Sequence, residues 1–172
     1  MIKPRYIAIA AITLDGKIAR NKSHMSDWTS KEDKIFMRAL LDKCDAIIVG
    51  NNTYKTAIGP LSKRNCIVIS RSADSGQRTV NLVYCKPNKT ELSKLLKPKS
   101  YKLIAILGGA QTYSFCLKNN LLDELYLTVE PVVFGQGISL FADDNHLNKK
   151  FKLISEKKLN KRGSLLLHYI KI

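Results

Sequence analysis

The stretch LIAILGGAQTY (residues 103–113) decides the fold prediction because it joins an apolar run to two adjacent glycines and then to a helical pattern. Residues 103–107 predict a buried strand, and residues 110–117 predict a helix. Gly108 and Gly109 stand at the corner, where the N–H groups and dipole of a helix N-terminus can bind phosphate. A tightly packed corner with no ligand is the alternative. Ala110 and Gln111 exclude the dinucleotide fingerprint G-x-G-x-x-G.

Strand and helix patterns alternate along the rest of the chain, with short connections and no internal repeat. This alternation predicts an α/β fold of three αβα layers, in which helices cover both faces of a mostly parallel sheet. The last two strands, joined by a hairpin, add antiparallel edges. The 172 residues suit a single domain, 1–172. Strands are predicted at 6–13, 46–49, 66–70, 82–85, 103–107, 124–129, 150–159 and 164–172, and helices at 30–44, 91–96 and 110–117.

Composition narrows the function classes. The net charge of +15 favours anionic partners. Nucleic acid stays an alternative with less support, because aromatic residues make up only 8% of the chain. The four cysteines lie far apart without histidines at metal-ligand spacing, so neither a metal site nor a disulfide framework is expected, and a cytoplasmic location fits. The apolar run 6–12 is too short to span a bilayer, so we expect no membrane partner.

Two further polar corners follow predicted strands. One begins at Gly50 and the other at Ser70, and each has the composition of an ordinary turn. Because the carboxyl ends of parallel strands meet at one edge of a sheet, the three corners together favour an extended, phosphate-bearing cofactor lying across that edge. Arg71 would supply a bidentate cation to a phosphate. The residues concerned are Gly50, Asn51, Asn52 and Thr53 in one corner and Ser70, Arg71 and Ser72 in the other.

The helix predicted over 30–44 carries an acid, Asp33, on the same stripe as its apolar residues. Burial in an apolar cleft would raise the pKa of this carboxyl and let it hold a proton near neutral pH. Helix capping is the alternative, because Ser30 and Asp33 have capping spacing. Thr29 and Glu32 form the better capping box, and if Glu32 serves the cap, Asp33 is left free.

Several motifs taken together resemble the dihydrofolate reductase superfamily, which includes the dihydrofolate reductases and the reductase domain of the riboflavin-biosynthesis deaminase-reductase. The resemblance runs from about residue 7 to about residue 141, and the motifs come in the family order. They are AAITLDGKIA, DWTSKED, IIVGNNTY, PLSKR, IVISRS, ILGGAQTY and DELYLTVEPVVFGQG.

The resemblance implies that NADPH occupies the predicted edge. Ala11 and Ile18 match positions beside the nicotinamide, and Arg71 lies in the loop for the adenosine 2′-phosphate. It further implies a cis bond between Gly108 and Gly109, with Tyr113 packed by the nicotinamide. The full set of implied cofactor residues is Ala11, Ile18, Gly50, Asn52, Thr53, Ser70, Arg71, Ser72, Gly108, Gly109, Ala110, Gln111, Thr112 and Tyr113.

The same resemblance implies a substrate-binding acid, Asp33, supported by Thr128. The implied reaction is hydride transfer from the nicotinamide of NADPH to a C=N bond of a bicyclic pterin, with Asp33 supplying the proton. Trp28, Met37, Leu61 and Arg64 match positions along the substrate.

The predicted reaction is the reduction of dihydrofolate to tetrahydrofolate, and a riboflavin-pathway substrate is the alternative. The stretch PLSKR, together with Asp33 and Thr128, favours dihydrofolate. TLDGKIA and EPVVFGQG instead resemble the riboflavin-pathway reductases, whose substrate is 5-amino-6-(5-phosphoribosylamino)uracil, although KTAIGPLSKR lacks their acidic loop. Because Asn51 replaces an arginine common in dihydrofolate reductases, selectivity for NADPH over NADH would depend mainly on Arg71. A catalytically silent binding protein is a further alternative, and the sequence leaves monomer and homodimer both open.

Overall fold

A large mixed sheet forms the centre of the molecule in a computed structural model that describes residues 3–72, 78–97, 99–142 and 148–172. The strands within these residues are β1 Arg5–Ile12, β2 Lys17–Ala19, β3 Ala46–Gly50, β4 Cys66–Ile69, β5 Arg78–Thr79, β6 Leu82–Cys85, β7 Leu103–Ile106, β8 Glu124–Val129, β9 Ile138–Ser139, β10 Phe151–Lys158 and β11 Leu165–Lys171. Nine of them form the large sheet, in the order β10-β11-β8-β1-β7-β3-β4-β6-β5. A second, two-stranded sheet pairs β2 with β9.

Helices connect the parallel strands. β1 runs parallel to both β7 and β8, and β3 runs parallel to both β7 and β4. The antiparallel pairs lie at the two edges, between β8, β11 and β10 on one side and between β5 and β6 on the other. The helices are α1 Lys31–Leu41, α2 Asn51–Thr56, α3 Ile58–Leu61, α4 Lys89–Leu96 and α5 Ala110–Lys118, with a 3-10 turn at Ser26–Trp28.

The core has two halves, one on each face of the sheet. Successive residues of a strand point to opposite faces, so Tyr6 and Ala8 of β1 pack in one half and Ile7 packs in the other. Leu92 of α4 belongs to the first half and Leu41 of α1 to the second. The predicted three-layer fold with a mostly parallel sheet and an antiparallel C-terminal hairpin is therefore confirmed.

The departures from the predicted elements are small and local. The helix predicted at 30–44 spans Lys31–Leu41. The short strands β2, β5 and β9 and the short helices α2 and α3 were not predicted, because they contain too few residues to establish a period. Strand β10 lies at the edge of the sheet, and most of its residues are exposed, including Ile154, which is 48% exposed. The described ranges contain no helix whose length and apolar character suit a membrane span.

Candidate functional site

Two of the predicted corners touch directly. The N–H of Gly50 donates to the carbonyl oxygen of Gly108 at 2.5 Å. A Cβ added to Gly50 would lie 2.7 Å from Thr112 Oγ1 and 3.2 Å from the backbone nitrogen of Gly109. Glycine at residue 50 therefore allows the ends of β3 and β7 to approach each other closely.

The Gly108–Gly109 corner has the backbone that the family resemblance implies, with a cis peptide bond between the two glycines. The φ of Gly108 is +81°, and a Cβ there would lie 2.6 Å from the ring of Tyr113. Tyr113 is buried, and its hydroxyl donates to the Ile9 carbonyl at 2.6 Å. Burial raises the pKa of Tyr113, so this phenol stays neutral and serves as a hydrogen-bond donor. The glycine corner is thereby anchored to β1.

The third corner is joined to the Gly108–Gly109 corner by one side-chain contact. Arg71 Nη2 donates to Gln111 Oε1, in the first turn of α5, at 2.8 Å. Ser70 is buried, and its hydroxyl lies 3.3 Å from the hydroxyl of Ser72. Since β7, β3 and β4 are neighbours in the sheet, the structure brings the three predicted corners together at one edge.

The residues at this edge have the chemistry that a dinucleotide's phosphates require. The first N–H groups of a helix have no partner within the helix and attract anions, and α5 begins at Ala110, directly after the two glycines. Thr53 lies close to this turn, because a Cβ on Gly109 would sit 3.5 Å from its hydroxyl oxygen. Arg71 adds a cation. Asn52 lies with Thr53 in the first turn of α2. The edge therefore fits a phosphate-bearing cofactor.

Asp33 is a buried carboxyl, with only 6% of the residue exposed. Burial is the largest cause that raises its pKa, and a nearby carboxylate, Glu130, raises it further. Hydrogen bonding with the side chains of Thr128 and Thr29 partly offsets these effects. Thr128 pairs in register with Ala11 of β1, so the acid, its hydroxyl partner and the strand residue predicted beside the nicotinamide lie together.

The cap of α1 differs from the prediction. Ser30 is the N-cap, and its hydroxyl accepts the backbone N–H of Asp33 at 3.2 Å. The predicted Thr29–Glu32 capping box is wrong, because Glu32 instead accepts the side-chain amide of Asn160 at 3.3 Å. The backbone N–H of Ser30 donates to Glu130 Oε1 at 2.8 Å. The Asp33 carboxyl is therefore not needed at the cap, because Glu130 accepts the Ser30 N–H. Glu130 was not among the residues predicted from the sequence.

A second missed feature fixes the loop between β1 and β2. Asp15 Oδ1 accepts the N–H of Phe134 at 3.1 Å, and Asp15 Oδ2 accepts the N–H of Gly135 at 2.8 Å. The hydrogen bond from the Thr13 hydroxyl lowers the pKa of Asp15 most, and the two backbone hydrogen bonds lower it further. Ile18, half-buried in β2, belongs to the segment that this contact holds in place.

The predicted substrate residues lie in three different settings. Trp28 packs edge to face with Phe134 at 5.1 Å, and Met37 is partly buried against the core on the α1 side. Leu61 is only 3% exposed and fills the core, so it does not line an open surface. Arg64 forms an ion pair with Asp42 at 2.5 Å.

Arg64 also lies away from the glycine corners. It precedes Cys66, the first residue of β4, whereas Ser70 follows Ile69, the last residue. Arg64 and the Ser70 corner therefore lie at opposite ends of β4. Arg64 lines an open cleft of about 340 Å³ with Cys44, Asp45 and Asn65. The structure thus brings Asp33 and Thr128 together but does not bring Arg64 to the edge that holds the three corners.

Comparisons with known proteins agree with this fold. The sequence profile of a family described as "Dihydrofolate reductase" matches residues 5–167. The uncharacterized protein YwjB of Bacillus subtilis is 29% identical over 175 residues, which cover 94% of each chain.

Solved structures show the same likeness. A pyrimidine reductase-like protein of Corynebacterium diphtheriae superposes with a TM-score of 0.79 at 17% identity, over 98% of this chain and 92% of that one. A diaminohydroxyphosphoribosylaminopyrimidine deaminase/5-amino-6-(5-phosphoribosylamino)uracil reductase of Thermotoga maritima gives a TM-score of 0.76 at 17% identity, over 98% of this chain and 57% of that one. At these identities the likeness establishes a shared fold.

Proposed function

Because this chain belongs to the dihydrofolate reductase family, we propose that it is an NADPH-dependent reductase of a pyrimidine-type heterocycle. The observation that carries the proposal is the pairing of two features. Three corners, two of which are each hydrogen-bonded to the third at the start of α5, form an edge suited to phosphates. A buried carboxyl with a raised pKa hydrogen-bonds with a threonine on β8. Neither feature alone would distinguish a reductase from a nucleotide-binding protein.

In this proposal the chain binds, orients and supplies a proton. The bound cofactor would supply a hydride to the substrate. The backbone N–H groups at Gly109 and Ala110 and the side chains of Thr53 and Arg71 would hold the phosphates. Asp33, whose pKa is raised by burial, would donate a hydrogen bond and then a proton to the nitrogen of the C=N bond whose carbon accepts the hydride. Thr128 would fix the orientation of that carboxyl.

Two observations favour a pyrimidine over dihydrofolate. Leu61 and Arg64 match the positions that contact the long tail of a folate, but Leu61 is buried in the core and Arg64 is held by Asp42. The solved proteins with the same fold include a pyrimidine reductase-like protein and a 5-amino-6-(5-phosphoribosylamino)uracil reductase. Dihydrofolate is the second candidate, because the buried Asp33 with its threonine partner is the arrangement that the resemblance associates with reduction of folates.

The test follows NADPH oxidation by absorbance with each substrate in turn. We expect turnover of 5-amino-6-(5-phosphoribosylamino)uracil or its dephosphorylated form, with dihydrofolate reduced more slowly. Faster turnover of dihydrofolate would select the second candidate. NADPH binding without oxidation in the presence of either substrate would indicate a binding protein instead. Asp33→Asn is the control, because it should lose turnover and keep affinity for NADPH.

A further inference from the structure

Glu130 is a buried acid that the proposed chemistry does not use. It directly follows β8, and only 3% of the residue is exposed. Both carboxylate oxygens are engaged: Oε1 accepts the Ser30 N–H at 2.8 Å, and Oε2 accepts the Ser164 hydroxyl at 2.5 Å. Its own N–H donates to the Ile12 carbonyl at 2.8 Å. Glu130 therefore links β1, the C-terminal hairpin and the start of α1.

The contact with Ser30 replaces an ordinary feature of helix caps. In a capping box, the acid at the third helical position reaches back to the N–H of the cap residue. In α1 the cap is Ser30 and the third position is Asp33. Glu130, which lies outside the helix, accepts the hydrogen bond of the Ser30 N–H. The Asp33 carboxyl is therefore free to lie beside Thr128.

We propose that Glu130 is a positioning residue for Asp33: it caps α1 in place of that residue, and its carboxylate is the like charge next to the Asp33 carboxyl. The inference rests on the proposed function, in which Asp33 supplies the proton. The Ser164 hydroxyl and the side chain of Asn160, which donates to it at 2.9 Å, hold Glu130 from the hairpin.

The charged and titratable groups around Asp33 come from three directions. Lys34 on the same helix lowers its pKa, whereas Glu130 raises it. Tyr113 of α5 also senses the Asp33 charge, since that carboxylate raises the pKa of the phenol. Glu130 is thus the neighbouring charge that opposes ionisation of Asp33, and neutralising it should lower the pKa of Asp33.

The decisive variant is Glu130→Gln, which removes the charge but keeps an oxygen for the Ser30 N–H. Its amide N–H can donate to the Ser164 oxygen, so that this hydrogen bond is reversed in direction. Titration of Asp33 by carbon-13 NMR, assigned with Asp33→Asn, should show a lower pKa than in the wild type. The alkaline limb of the pH profile of kcat/KM should move to lower pH by the same amount. At a pH above both pKa values, kcat/KM should fall tenfold for each unit by which the pKa of Asp33 is lowered. Glu156→Gln, which neutralises an exposed acid on β10, should change neither the pKa of Asp33 nor the pH profile.

Glu130→Ala tests the cap itself. Asp33 should turn back to the Ser30 N–H, and kcat should fall about tenfold or more, while Glu130→Gln keeps most of kcat at low pH. An unchanged Asp33 titration in Glu130→Gln would overturn the inference even if the wild type reduces its substrate. If the wild type reduces nothing, the titration in the ligand-free protein still decides the inference, while the proposed function fails separately. Should Glu130→Ala not fold, the Asp33 titration in Glu130→Gln is sufficient to support or overturn the inference.

Discussion

Replacing Gly50 by alanine should separate the two glycine corners. The added Cβ would lie 2.7 Å from Thr112 Oγ1 and 3.2 Å from both Gly108 O and Gly109 N. Contacts this short require the ends of β3 and β7 to move apart, because Thr112 is buried and β-branched. The φ of Gly50 is −75°, so the effect is steric and does not come from backbone strain. Overpacking of this kind costs about 1–3 kcal/mol.

Two assays measure this effect. Thermal unfolding of the ligand-free protein should show a lower Tm, by roughly 2–4 °C per kcal/mol for a chain of this size. Calorimetric titration with NADPH should show a Kd raised about tenfold or more, equivalent to about 1.4 kcal/mol. The matched control is Gly59→Ala, since a Cβ on Gly59 of α3 meets nothing within 4 Å. That variant should be neutral or stabilised by about 0.5–1 kcal/mol.

A double-mutant cycle isolates the contact. Thr112→Ala removes the closest atom, so Gly50→Ala should be less destabilising in that background, with a coupling of about 0.5–3 kcal/mol. A Gly50→Ala protein with wild-type Tm and wild-type affinity for NADPH would refute the packing argument. A loss of the same size in Gly59→Ala would refute it as well.

Three further outcomes follow from single side chains. Asp33→Asn should abolish most turnover yet raise the free energy of unfolding at pH 8. The raised pKa of Asp33 gives a stabilising contribution that is complete below its ordinary value of 3.8 and is lost as pH rises through the folded value. The gain in the variant is about 1.4 kcal/mol for each pH unit from 3.8 up to the folded pKa or the working pH, whichever is lower. Urea unfolding at pH 5 and pH 8 checks the sign, and a less stable variant at pH 8 would contradict it. Arg71→Gln removes the cation bonded to Gln111. It should weaken NADPH binding about tenfold and leave the affinity for NADH unchanged. Equal losses of affinity for both nucleotides would count against a contact with the 2′-phosphate. Tyr113→Phe leaves the Ile9 carbonyl without its buried hydrogen-bond donor. It should lower the free energy of unfolding by about 1–3 kcal/mol. An unchanged denaturation midpoint would disprove a stabilising role for this hydrogen bond.

The sheet and the three corners could be predicted because their causes are local. The strands β3, β4 and β7 are apolar runs that lead into glycine or serine. Parallel strands necessarily place those ends at one edge. Gly50, Ser70 and Gly108 therefore meet as expected. The contact between Arg71 and Gln111 could not be foreseen, because it joins residues 40 positions apart on two different loops.

The features that were missed depend on long-range contacts. The cap of α1 is completed by Glu130, which lies 100 positions from Ser30 in the sequence. The only signal was an isolated acid within an otherwise apolar run, residues 129–134. Leu61 could not be distinguished from a ligand-lining residue by its type, because an apolar side chain serves either role, and only its burial decides between them. Similarly, the spacing of Arg64 gave no indication of its ion pair with Asp42.

A crystal structure of the protein with NADPH tests the central claim most directly. We expect density for the phosphates at Gly50, Gly109 and Arg71, with the nicotinamide between Ala11 and the Asp33 carboxyl. A cofactor bound elsewhere on the molecule, or an Asp33 carboxyl that faces solvent and lies away from the nicotinamide, would contradict it.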